Sequence, residues 1–329
     1  MTASRRLGVS VMPLESRREL ILNLAMSADR LGYDAFFLPE TWSWDITVIL
    51  GEIAARTQRI TLGTSVLGIW GRTSATIAMA AATLAAASGG RFVLGLGTST
   101  PQLAEGLHDV PFTAPIGRMR RIVSQVRALL GGERIPLMAT SASRSLKLNL
   151  PPLPRIPIYL AALGAGATRL AGEVGDAWLS FLYPASRLDV GIALLREGAA
   201  HAGHPDTVPL IMPTIATAVA ANGAAARQSA AWVVAFYVTN MGALYRESLI
   251  RLGFGKEVDA IIAANTPKVT GIVPLEAEAL LDEVSVYGTP DDARRRLARW
   301  YAAGATMPVL LLPPNMTSEE MSLNLGTFR

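Results

Sequence analysis

Short runs of apolar residues alternate with longer stretches of helical periodicity along nearly the whole chain. The apolar runs fall at residues 7–12, 35–38, 60–66, 91–96, 158–161, 177–181, 209–219 and 307–312. Several are rich in Val, Ile and Thr and close on Gly or a polar turn, as strands buried on both faces do. Between them, apolar positions recur at helical spacing over 16–31, 47–55, 74–87, 116–130, 165–174, 186–202 and 290–303. Ser16 stands where it would cap the first helix, and Gly131 and Gly132 where they would end the fourth. Two segments break the rhythm. Residues 133–156 are irregular and carry several prolines, whereas 224–283 are mostly helical with breaks at 253–255 and 266–271.

Strands that alternate with helices imply an α/β fold with a parallel, helix-covered sheet. Eight such units close more readily into a (β/α)8 TIM barrel than into an open sheet; a doubly wound sheet is the alternative. The expected organisation is one barrel domain over 1–329, with 133–156 and 224–283 as insertions. An insertion at the C-terminal face of the strands would shape an active site there.

Composition narrows the chemistry. Half of the 329 residues are hydrophobic and 17% are charged, which suits a large folded core and not disorder. There is no cysteine, so disulfides, thiolate metal sites and a cysteine nucleophile are excluded. His108, His201 and His204 are too few for a His-rich metal cage, and His201 and His204 fall near a helix end away from the expected site. No metal is expected. The net charge of +4 is scattered or sits in short helical runs such as Arg294, Arg295 and Arg296, without the basic, aromatic-interleaved stripe of a nucleic-acid surface. Met1 to Arg6 is basic, but no signal-like apolar region follows, and no stretch of about 18 apolar residues is uninterrupted. A cytoplasmic protein that meets neither membrane nor nucleic acid is expected.

In a barrel, chemistry collects just after each strand. After the second run come Glu40, Trp42, Trp44 and Asp45. Glu40 could move a proton while Trp44 stacks on a planar ring; helix capping by Asp45 and packing of one Trp would explain the same residues. After the third come Gly68, Ile69 and Trp70, where glycine permits close backbone approach to a ligand. After the fourth come Gly97 and Thr98, small and polar, then Gln102, Glu105 and His108 at helical spacing. Glu105 and His108 could form an acid/base pair or an exposed polar turn. After the fifth, Ala162, Gly164, Ala165 and Gly166 lead into a helix, where exposed N–H groups and the helix dipole favour a phosphate. The spacing is not that of a Rossmann turn.

Five segments then resemble motifs of the luciferase-like monooxygenase superfamily. They run from Ala28 to Ala35, Ser88 to Gly97, Pro157 to Ala162, Leu170 to Ala177 and Gly288 to Asp292. The resemblance covers about 7–312. It implies a bacterial-luciferase-like (β/α)8 barrel, usually dimeric, with a flavin or deazaflavin ring at the C-terminal face and its phosphate near Gly164 to Gly166. It also implies a non-proline cis peptide near Gly68, Ile69 and Trp70. The segment 88–132 is most similar to the deazaflavin branch, so coenzyme F420 and hydride transfer with a small organic substrate are expected. FMN in a two-component monooxygenase is the alternative, and a non-catalytic flavin-binding barrel a second. Some sugar-phosphate dehydrogenases of that branch carry a His after the second strand; Glu40 stands there instead. Substrate contacts are expected from the insertions, with Tyr237, Asn240, Met241 and Tyr245 as candidates.

Overall fold

A computed structural model describes residues 5–136 and 143–329. Residues 1–4, within the basic start, and 137–142, within the expected 133–156 insertion, lie outside the described residues. The strands are β1 (Gly8–Val11), β2 (Ala35–Leu38), β3 (Thr61–Thr64), β4 (Leu67–Gly68), β5 (Phe92–Gly97), β6 (Ile158–Ala161), β7 (Ala177–Phe181), β8 (Leu210–Val219), β9 (Ser285–Gly288) and β10 (Val309–Leu312). All pairings are parallel. The order is β10-β1-β2-β3-β5-β6-β7-β8, and β8 pairs back onto β10, which closes an eight-stave (β/α)8 barrel.

Two features depart from the sequence reading. The third apolar run holds only β3, ends in a cis peptide bond at Ser65-Val66, and is followed by a second short strand, β4, beyond it. That bond lies before Gly68, Ile69 and Trp70, where it was expected. Secondly, β8 runs on past the closure. Its residues Thr214 to Ala216 pair with β10, and Ala216 to Val219 pair with β9, which stands outside the ring.

Each stave is apolar on both faces, and the pleat separates the two. Phe36, Leu62, Leu94, Leu160, Trp178 and Leu310 point outward into the layer shared with the helices. Phe37, Val93, Tyr159, Leu179, Met212 and Val309 pack inward. Gly63 belongs to this inner layer by necessity, since a Cβ there would lie 2.5 Å from the Phe37 ring. One pleat further along the strands the inward residues become small: Ser10, Pro39, Ser65, Gly97, Ala161 and Thr214. Only Phe181 and Leu311 are large at that level. The barrel is therefore filled below and hollow above.

The helix Arg18–Leu31 begins after Arg17, and Ser16 does not cap it. Asp45 does cap Ile46–Arg56, accepting the Thr47 N–H at 2.9 Å. The described residues 133–136 and 143–156 follow the helix Pro115–Leu130 and lead into β6, so they belong to the N-terminal end of the strands. The ion pair of Arg155 with Asp176, just ahead of β7, ties them there. Residues 224–283 leave from the C-terminal end of β8 and carry the helices Gly223–Asn240, Ala243–Arg251, Gly255–Ala264 and Glu278–Val284. Among the described residues, no helix is long and apolar enough to cross a membrane.

Candidate active site

The hollow upper layer opens into a cavity of about 970 Å³ at the C-terminal ends of the strands. Its floor is the ring of small residues. One wall is the run from Gly97 to Leu103, a second the run from Ala161 to Ala167, and a third comes from the long insertion, through Tyr237, Met241, Leu244 and Tyr245.

The floor is built around the β3–β4 break. Gly97 has no room for a side chain, because a Cβ would lie 2.3 Å from Cγ2 of Val66. Gly95, one pleat below, faces the Thr64 carbonyl oxygen, 1.9 Å from where its Cβ would stand. Val66 thus fills the space that a side chain at Gly97 would take, and it lines the cavity. Glu40, itself in the cavity wall, braces this segment. Its N–H donates to the Val66 carbonyl at 3.1 Å. Its Oε2 accepts the Gly68 N–H at 2.9 Å, and its Oε1 pairs with Arg72 at 2.7 Å. Arg72 in turn reaches Asp45 at 3.1 Å.

Of the residues singled out from sequence, Glu40, Gly97, Thr98, Ala162, Gly164, Ala165 and Gly166 line the cavity. Gly68, Ile69 and Trp70 stand behind its wall. Ile69 donates its N–H to the Gly97 carbonyl at 3.2 Å, and the Trp70 indole N–H reaches the Thr98 carbonyl at 2.6 Å. Trp70 packs at a tilt against Phe112, with centroids 4.9 Å apart, and has the Arg118 guanidinium over its ring at 4.6 Å. It positions Thr98 from outside the cavity.

Trp44 does not reach the cavity. It is 49% exposed, and its indole N–H donates to the Ser16 carbonyl at 3.0 Å. Glu105 and His108 are not brought together. The Glu105 carboxylate accepts the Phe112 N–H at 3.0 Å, and the His108 ring lies against Gly71, 2.4 Å from where a Cβ would stand. Helical spacing failed here because Pro101–Gly106 ends before His108. Tyr237, Met241 and Tyr245 line the cavity, and Asn240 does not.

The helix Ala165–Val174 starts at Gly164 without a side-chain cap. Thr168 donates its N–H to the Gly164 carbonyl, so the N–H groups of Ala165, Gly166 and Ala167 have no partner within the helix. Nothing lies within 4 Å of where a Cβ of Gly164 would stand, so an acceptor has clear approach. Together with the helix dipole, this start suits a phosphate. Among the described residues, no group of three or more His, Asp or Glu side chains could hold a metal ion.

The sequence reading did not single out Ser10, Ser65, Val66, Thr214, Glu247 or Arg251, all of which line the cavity. Inward parity on β1 and β8 would have found Ser10 and Thr214. Nothing local marks Glu247 and Arg251, which reach the rim only through the fold of the insertion.

A family model described as luciferase-like monooxygenase matches residues 5–307. A Mycobacterium tuberculosis protein named as a coenzyme F420-dependent oxidoreductase is 32% identical, over 94% of this chain and 96% of its own length. The 5,10-methylenetetrahydromethanopterin reductase of Methanolobus tindarius is 25% identical, over 93% of this chain and 94% of its own. Among solved structures, the coenzyme F420-dependent tetrahydromethanopterin reductase of Methanopyrus kandleri superposes with a TM-score of 0.77 at 19% identity, covering 99% of this chain and 98% of that one. The chain belongs to the luciferase-like monooxygenase family.

Proposed function

We propose that this protein is a coenzyme F420-dependent oxidoreductase that transfers a hydride between the deazaflavin and a small organic substrate. The observation that carries the reading is the continuous cavity from the small-residue floor at Gly97 to the open helix start at Gly164. It has a floor of small residues to receive a planar ring at one end and N–H groups without helical partners to receive a phosphate at the other. The Mycobacterium tuberculosis relative and the Methanopyrus kandleri structure, both named for coenzyme F420, support that cofactor over FMN.

The deazaflavin, when bound, supplies the site that gives or takes the hydride. The chain does the rest. Val66 and Gly97 support the ring, Thr98 borders it under the hold of Trp70, and Ala165, Gly166 and Ala167 take the phosphate. Ala162 closes the wall between them. Glu40 fixes the Val66–Gly68 backbone on which the ring rests, and it stands nearest to the cavity of the acid/base candidates read from sequence. The working unit is one barrel over 1–329, in the cytoplasm.

A homodimer fits one surface feature. The helix Ser74–Ala87 contains no charged residue, yet Thr76, Met79, Thr83, Ala86 and Ala87 are exposed on it, beside Val48, 70% exposed, on the adjacent helix. An uncharged outer face of this kind suits burial against a second copy.

Titration of the purified protein with coenzyme F420 and with FMN, followed by tryptophan fluorescence, tests the cofactor. Saturable binding of coenzyme F420 with weak FMN binding is expected. Preference for FMN would replace hydride transfer with the two-component monooxygenase reading.

A further inference from the structure

We infer that the wall formed by Phe181, Tyr237, Met241, Leu244 and Tyr245 is the substrate side of the cavity, and that it takes an uncharged, largely apolar carbonyl compound, or the alcohol it becomes, held by its oxygen on the two phenols. This rests on the function proposed above, which assigns the Gly97 and Gly164 sides to the cofactor.

Three rings set this wall. Tyr237 and Tyr245 pack edge to face with centroids 5.1 Å apart, and Phe181 meets them at 4.5 and 5.9 Å. They come from three elements, the helix Gly223–Asn240, the helix Ala243–Arg251 and the end of β7, so each ring holds the others in place. Among the described residues, neither phenol hydroxyl has a protein partner, although both rings line the cavity. A hydroxyl in a cavity wall needs a partner, and a ligand oxygen supplies one. Burial pushes the Tyr245 phenol up to about 12, so it is a protonated donor across the neutral range. Burial, helped by the neighbouring Tyr245, likewise raises the Tyr237 phenol well above its ordinary range.

The charges disfavour an anionic substrate against this wall. Among the described residues that line the cavity, the only cation is Arg251, which stands at the rim, 52% exposed, 3.9 Å from Glu247. Glu40 is occupied by Arg72 and Gly68. The remaining anion site, the helix start at Gly164, is taken by the cofactor. A phosphate or carboxylate on the substrate would be buried without a counter-charge. Leu244 and Ile116, both partly exposed at the mouth, give an apolar entry instead.

The reaction balances with reduced coenzyme F420 as the reductant. The carbonyl carbon accepts the hydride, the C–O π bond breaks, and the oxygen takes the pair and then a proton from the phenol. Solvent water restores that proton. Alcohol oxidation is the reverse, with the oxidised coenzyme as acceptor.

The test compares methyl 4-oxocyclohexanecarboxylate with 4-oxocyclohexanecarboxylate, which share the ketone and differ in charge. Oxidation of reduced coenzyme F420 is followed for each, beside a separate measurement of the coenzyme's Kd. The ester should exceed the acid in kcat/KM by about tenfold or more. Tyr245→Phe and Tyr237→Phe should each lower kcat/KM for the ester by about tenfold, with the coenzyme Kd unchanged. Equal use of the two ketones, or preference for the acid, overturns the uncharged class. Binding of the coenzyme with no oxidation by either ketone overturns the carbonyl assignment. Failure of the coenzyme itself to bind would appear in the Kd measurement and would remove the functional reading on which this rests.

Discussion

The Gly68 N–H donates to Oε2 of Glu40 at 2.9 Å, so a side chain just beyond β2 holds the end of β4. The same residue takes the Val66 carbonyl on its own N–H. Glu40 is thereby a clamp on the segment proposed to support the cofactor ring. Glu40→Gln keeps an acceptor for Gly68 and leaves Arg72 its contact with Asp45, so it should cost under about 1 kcal/mol. Glu40→Ala leaves the Gly68 N–H without a partner and should cost about 1–3 kcal/mol and weaken coenzyme binding. Thermal unfolding and the coenzyme Kd read both effects. A Glu40→Gln protein of normal stability and normal affinity that turned over no substrate would make Glu40 the proton carrier instead.

Gly164 separates folding from binding. Its backbone is extended, with φ −84° and ψ 152°, which valine tolerates, and no protein atom crowds the site of its Cβ. Gly164→Val should leave the melting temperature within a degree or two, while the added methyl groups obstruct the phosphate and weaken coenzyme binding by about tenfold or more. Unchanged affinity would move the phosphate elsewhere.

Gly97 gives the opposite pattern. A methyl group there would meet Val66 Cγ2 at 2.3 Å, in a floor that cannot give way without shifting the β3–β4 break. Gly97→Ala should destabilise the fold by about 1–3 kcal/mol. The double variant Gly97→Ala, Val66→Ala should recover part of that loss, because it removes the opposing methyls; a denaturant series on the two proteins decides it, and no recovery would mean that the clash is not the cause.

Asp29 sets a pH dependence. Its carboxylate accepts the N–H groups of Gln58, Arg59 and Ile60 at 3.0, 3.1 and 2.8 Å, which ties the helix Arg18–Leu31 to the start of β3. Partial burial pushes its pKa up, but the three N–H donors and the Arg59 charge outweigh it and hold the group below the ordinary carboxylate range. The folded-state pKa is therefore the lower one. Its stabilisation is complete above the unfolded value of about 3.9 and fades as pH falls through the folded value. Asp29→Asn should cost about 1 kcal/mol at pH 7 and flatten the loss of stability below about pH 4. Urea midpoints between pH 3 and 7 that fall in parallel for both proteins would contradict this.

The barrel was legible because buried parallel strands leave a simple mark, an apolar run closed by a turn. β9 was not, since Ser285 follows the helix Glu278–Val284 without a turn and its four residues extend a helical pattern. The Gly-rich entries at 97 and 164 were legible as places where a ligand meets backbone. The roles of Trp44, Glu105 and His108 were not, because their positions depend on hydrogen bonds to Ser16 and Phe112 and on the packing at Gly71. The cis bond could be expected in kind from the resemblance but not placed at Ser65-Val66, where Val66 packs into the space left by Gly97 of the neighbouring strand.

The forked end of β8 has a consequence for how this enzyme can diversify. The helices that carry Tyr237 and Tyr245 leave from β8 and return through β9, and these two strands pair with each other outside the ring. The closing contact of β8 with β10 lies upstream of that excursion. The segment between β8 and β9 is in effect a cassette moored at both ends to one short ladder. Its interior can be exchanged for that of a relative while the staves and the cofactor platform keep their register, so new substrate preferences can be inherited without reassembling the barrel.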